Sequence, residues 1–210
     1  MATARVIPFE DNVAAQNVNV TSTGALPEGC FLQAGQAITF TNNSGASIDI
    51  TFVPNPVLPN QVVFNDILGL SPTAPNNTNT QTPQVPNGSV NYNVNVGGTQ
   101  YGPYAIQVGN GPMYVQITNS VCTPDPVAIP HNVTVGGGTL ELVSTDVNYA
   151  VGPATFSQRF APTLTTVGVG LRNNTPHRDL SGAGNYNYTV APTAIAAGGG
   201  GGGTVRVKGS

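Results

Sequence analysis

His177, Arg178 and Asp179, in the stretch NNTPHRDLSG, bring an imidazole, a guanidinium and a carboxylate together at consecutive positions. Acid–base chemistry would need them to converge on one substrate atom. Their setting reads instead as a polar loop in which Asp179 caps a turn and Arg178 pairs locally. His131 follows Pro130 and opens a strand, and with no second ligand at metal spacing it is expected as a strand-edge residue. Asp49 and Asp66 are oxygen ligands a calcium ion could use, but no EF-hand or RTX-type spacing surrounds them. Gly136, Gly137 and Gly138 precede a strand, so the helix N-terminus that would hold a phosphate is missing and a turn is expected. The whole supply is 2 His, 9 carboxylates and 6 basic side chains. No catalytic residue, metal ligand or cofactor is expected, and the chain reads as a non-enzyme.

Cys30 and Cys122 are the two cysteines. One stands just before FLQAGQAITF and the other just after MYVQITNSV, where the first and last strands of a sandwich lie side by side. A disulfide between them would close a long loop, contribute on the order of 4 kcal/mol and imply an oxidising compartment. The other reading is two buried free thiols.

The elements that must position these side chains are strands. Pro or Gly interrupts nearly every stretch that might sustain a helical stripe. Alternation predicts strands at 5–9, 17–21, 37–41, 47–53, 89–96, 104–108, 113–118, 131–135, 139–143, 165–171, 186–190 and 204–208. Turn signals such as Asn87-Gly88 and Gly97-Gly98 separate them at the spacing of a sandwich or barrel. Short helical turns are predicted at 62–70 and 176–180. Residues 57–86, with SPTAPNNTNTQTPQVP at their centre, read as a long surface loop, because proline removes ladder donors.

The expected fold class is all-β: two β-sandwich or jelly-roll-like domains with long loops and little or no helix. Their expected limits are an N-terminal arm over 1–28, a first sandwich over 29–122, a proline-rich linker over 123–130, and a second β domain over 131–210. The run Gly198 to Gly203 is a flexible linker or, alternatively, a close-packing segment that delivers TVRVK as an added strand. A tyrosine-rich strand followed by a closing strand occurs near the end of each half, a loose internal echo.

Charged residues are 7% of the chain, against roughly 25% in an ordinary domain, and net charge is -3. The six basic residues are scattered, which excludes an electrostatic footprint for nucleic acid. No apolar run reaches the ~18 residues a spanning helix needs. The opening MATARVIPFEDN meets Glu10 and Asp11 before an apolar leader core can form, so either a signal was removed or there was none.

Between Ala34 and Thr118, AGQAITFTNNSGASIDITFVP and YGPYAIQVGNGPMYVQIT resemble the opening strands and the closing hairpin of the cupredoxin-like fold. An immunoglobulin-like sandwich would present much the same strands. The cupredoxin resemblance implies a blue-copper site of two His, one Cys and usually a Met. The loop that should carry it is GNGP here, and Cys122 and His131 lie beyond it at the wrong spacing. The scaffold is therefore expected without its metal.

These observations lead to a structural protein that self-assembles, whose partners are copies of itself and other structural subunits, most concretely a virion coat or capsid-decorating subunit. Localisation would be the virion or an extracellular particle. The alternative is a secreted or cell-surface binding or adhesion module on a copper-free sandwich.

Overall fold

The structure, a computed structural model, describes residues 16–132, 136–170, 176–180, 182–193 and 200–209. The predicted strand at 5–9 lies outside the described residues. Nine strands build a first lobe: β1 Gln16–Thr21, β2 Gly24–Leu26, β3 Gly29–Leu32, β4 Ile38–Asn42, β5 Ile48–Phe52, β6 Ile67–Leu70, β7 Thr78–Gln81, β8 Gly88–Val96 and β9 Thr99–Val108. They form a four-stranded sheet in the order β2-β1-β4-β7 and a five-stranded sheet in the order β3-β9-β8-β5-β6. The period of two places one face of each strand inward: β4 and β5 bury Ile38, Phe40, Ile48, Ile50 and Phe52. Phe40 joins the two sheets, its ring edge-on to Phe52 at 6.1 Å and to Tyr92 at 5.6 Å.

Eleven strands and one helical turn build a second lobe. They are β10 Met113–Thr118, β11 Val121–Thr123, β12 Val127–Asn132, β13 Gly136–Gly137, β14 Thr139–Ser144, β15 Tyr149–Gly152, α1 Ala154–Ser157, β16 Phe160–Ala161, β17 Thr166–Val167, β18 His177–Asp179, β19 Gly184–Pro192 and β20 Gly201–Gly209. Their sheet runs β16-β18-β14-β10-β11-β20-β19-β15-β17, with β12 beside β20 and β13 beside β12. Just past β17, Gly168 accepts from Ser144 N–H at 3.3 Å and Gly170 N–H donates to Ser144 O at 2.8 Å. A parallel bridge between Ser144 and Val169 completes the contact. The sheet therefore curls until its β17 end returns to β14. Inside lie Leu140, Leu142, Leu164, Val190 and Val205, with Phe156 of α1 stacked on Tyr188 at 5.1 Å.

The C-terminal strand is internal. β20 pairs antiparallel with β19 and parallel with β12, so the TVRVK strand is added within its own chain. Its glycines permit this by close approach. A Cβ on Gly201 would meet the Ser120 carbonyl, and one on Gly202 would meet that of Tyr188.

All-β architecture is as expected, but several elements differ. Residues 62–70 and 176–180 hold the strands β6 and β18 where helical turns were predicted. Their pairing with β5 and β14 overrides weak local preference. The segment 123–130, expected as a linker, runs into β12, which pairs with β20 and packs against β3 and β9 of the first lobe. Residues 16–26, expected as part of an arm, belong to the first lobe because β1 pairs with β4. The expected closing hairpin does not form: β9 pairs with β8 and β3, while β10 pairs with β11 and β14. Only the later hairpin-like ending, β19 with β20, is one.

Candidate functional site

The two lobes meet along a seam built from amide side chains. Asn91 of β8 points away from the aromatic core but is only 3% exposed, because the second lobe covers it. Its amide donates to the Ala128 carbonyl at 2.8 Å and accepts from the Ala128 N–H at 3.0 Å, pairing with β12 as a backbone strand would. Gln107 of β9 does the equivalent for β14, its Oε1 accepting from Thr139 N–H at 2.9 Å. Arg206 of β20 donates from Nη1 to Gly102 O at 3.2 Å, and Lys208 pairs with Glu28 at 3.3 Å. Gly29 sits so close to Pro130 and to the Lys208 carbonyl that a side chain there would collide with both.

Beside this seam opens a cleft of about 400 Å³, within the range of small-ligand sites. Phe31, Gln33, Gln107, Asn110, Thr139 and Arg178 are among the residues that line it. β3 and β9 supply the first-lobe wall, and β14 and β18 the opposite one. Arg178 stands opposite Thr139 in the β14–β18 pair, exposed to solvent. It is the one charged side chain among the described residues of the lining. Gln107 donates one amide hydrogen to Gly109 O at 3.3 Å and keeps a second donor uncommitted.

A second surface feature lies at the far side of the first lobe. β6 ends the five-stranded sheet and β7 ends the four-stranded one, and the two strands lie against each other. Gln81 stitches them at one end, accepting from Asn65 N–H at 3.0 Å and donating to Asn65 O at 2.9 Å. Asn42 donates to Leu70 O at 2.7 Å. The outer sides of β6 and β7 have no strand partner among the described residues, and Leu68 of β6 is 73% exposed.

The residues singled out from sequence are scattered. In β18 alternate side chains take opposite faces, so His177 and Asp179 are buried while Arg178 faces solvent. His177 Nδ1 lies 2.6 Å from the Pro162 carbonyl, a contact that requires the proton on Nδ1. Asp179 is 1% exposed and lies in a strand, paired with Phe160. His131 is not at an edge, being flanked by Gly137 of β13 and Gly209 of β20. Asp49 accepts from Gly69 N–H and Asp66 from Phe52 N–H, so both carboxylates serve the β5–β6 connection. Among the described residues no three His, Cys, Asp or Glu side chains gather as a metal site.

Cys30 and Cys122 are both free. The bridge fails because each thiol is buried in a different lobe, Cys30 among the first core and Cys122 among the second. Burial pushes the Cys30 thiol up to about 12, where almost no thiolate exists at neutral pH.

Two carboxyl groups in the second lobe are perturbed in opposite directions. Glu141 of β14 is 4% exposed, and loss of water pushes its carboxyl up to about 7. Asp146 moves the other way, to about 2: desolvation opposes the shift, but N–H groups of Val147 and Asn119 and hydroxyls of Ser144 and Tyr149 all donate to it. That carboxylate holds the turn after β10, where Asn119 and Ser120 both adopt positive φ.

The seam amides Asn91 and Gln107 escaped the sequence reading. Each is a polar residue in the outward phase of a strand, and nothing local shows that another lobe covers it.

No family model matches this sequence, and no curated protein matches it. Among solved structures the chain is similar to a blue copper oxidase from Nitrosomonas europaea, with a TM-score of 0.34 and 10% identity, covering 92% of this chain and 86% of that one. It is also similar to Lac15 from a marine microbial metagenome, with a TM-score of 0.32 and 12% identity over 94% of this chain and 67% of that one. A copper-containing nitrite reductase from Thermus scotoductus gives a TM-score of 0.27 and 13% identity over 86% and 54%. At such TM-scores the likenesses carry neither a family nor a chemistry to this chain.

Proposed function

We propose that this chain is a non-enzymatic structural subunit that assembles with copies of itself, most concretely as a coat or decoration subunit of a virion. The observation that carries the reading is the open side of the first lobe. There two sheet ends lie together, unpaired on their outer sides among the described residues, with Leu68 exposed to water. An edge strand with an exposed apolar side chain is a template for another chain's strand. The neutral surface supports the same reading, because a chain with 7% charged residues has little self-repulsion to overcome when copies pack.

The test is the assembly state of the native protein. Light scattering and negative-stain microscopy should show large symmetric objects, and Leu68→Lys should leave soluble monomers, because a charge on the edge blocks strand addition. A wild-type protein that stays strictly monomeric at high concentration overturns the proposal.

The inter-lobe cleft favours a second reading, a secreted or cell-surface binding module whose ligand sits at the seam. Pockets at such junctions are where small ligands bind most often. The two readings use opposite sides of the first lobe and are separable by experiment.

A further inference from the structure

The inter-lobe cleft has a chemical bias. Its described lining holds one cation, Arg178, and no carboxylate, in a protein whose net charge is -3. Around that cation stand amide and hydroxyl groups: Gln33, Gln107, Asn110 and Thr139. Gln107 is fixed by its bonds to Thr139 N–H and Gly109 O, so its remaining amide hydrogen has a set position and no rotamer entropy left to lose. Phe31, half-buried, contributes an aromatic ring to the same wall.

Each group limits the ligand. A guanidinium is a planar fork that matches a carboxylate through two parallel hydrogen bonds. Amides both donate and accept, as sugar hydroxyls do. An aromatic ring offers an apolar face to the C–H side of a pyranose. The large apolar side chains of the lining are Phe31 and Leu32, too few to form a deep pocket for a peptide's hydrophobic anchor.

We propose that the cleft binds a carboxylate-bearing saccharide, a uronic-acid unit of an oligosaccharide. Arg178 meets the carboxylate, the amides of Gln33, Gln107 and Asn110 meet hydroxyls, and Phe31 lies under the sugar ring. This assignment rests on the binding-module reading above and is independent of assembly through β6 and β7.

The experiment is a titration of the full chain, followed by backbone amide NMR shifts, with a galacturonic-acid trisaccharide. In parallel the same trisaccharide is used with its carboxyl groups reduced to alcohols. Shifts should centre on Gln107, Asn110 and Thr139, with the reduced sugar binding about tenfold more weakly, roughly the loss of one charge-assisted contact. Arg178→Gln, at an exposed position, should remove that discrimination without changing the unfolding midpoint. Equal binding of both sugars at the cleft overturns the carboxylate assignment while leaving a binding module in place. Absence of shifts at millimolar sugar overturns the ligand class altogether, and an Arg178→Gln protein that still discriminates overturns the role of the guanidinium.

Discussion

Among the described residues the first lobe leaves sheet ends open, whereas the second returns upon itself at Ser144 and keeps its C-terminal strand inside. Both are made from the same polar-apolar alternation, and both bury aromatic clusters of similar kind. The difference lies in where unpaired backbone ends up. Closure removes edges, and an open sandwich must protect them or use them. In the first lobe the side chains of Gln81 and Asn42 tie β6 and β7 to their surroundings, and the outer sides have no strand partner among the described residues. The proposed association would use the lobe whose sheet ends lack partners.

Removing residues 201–209 is the most severe test of that contrast. Without β20 the second sheet loses the strand between β19 and β12, and Val205 and Val207 leave its core. The second lobe should lose its fixed tertiary structure, a change beyond the ~5 kcal/mol that marks exceptional point mutations. Near-ultraviolet circular dichroism and amide exchange would report it. Retention of slow-exchanging amides in β14 and β19 would show that the curled sheet of the second lobe does not depend on β20.

The seam comes next. Asn91→Ala leaves both the N–H and the carbonyl of buried Ala128 without their amide partner, and should cost about 2–4 kcal/mol. Calorimetry should then show the single unfolding transition separating toward two, one for each lobe. An unchanged transition would mean that the remaining seam contacts suffice to couple the lobes.

A smaller effect distinguishes the lobes by pH. The Glu141 carboxyl is raised from 4.5 to about 7, so the folded state holds this proton more tightly than the unfolded chain does. Its contribution is fully present below pH 4.5, declines as pH rises from there to about 7, and is lost above. At pH 8, Glu141→Gln should stabilise the protein by about 1–3 kcal/mol, with little change at pH 4. Denaturant midpoints of both proteins at the two pH values check it, and equal differences at each would remove the buried charge as the cause.

The smallest stability effect belongs to the open edge. Leu68→Lys touches an exposed side chain and should shift the denaturant midpoint by no more than about 0.5 kcal/mol. A larger loss would show that Leu68 serves the fold of the first lobe itself.

Much of this organisation is local enough to read from residue order. β4, β5 and β10 have clean alternation, and Met113–Thr118 was delimited to the residue. β12 was hidden by Pro124, Pro126 and Pro130, whose usual meaning is a linker. Proline lacks only its own donor, and β12 obtains further bonds from the Asn91 side chain. β6 and β18 are too short for periodicity to separate a strand from a turn. Of the cleft, Arg178 was visible as a loop cation, but Gln107 and Asn110 carried no local mark.

By itself the sequence determined the strongly alternating strands such as β4, β5 and β10 and the low charge of the chain, because each depends on residue type and on neighbours a few positions away. Pairing, closure and the seam were decided only in three dimensions. A strand's alternation says which face is apolar but not which partner covers the other face, so Asn91 and Gln107 became a seam, and β20 an internal strand, only when distant segments met.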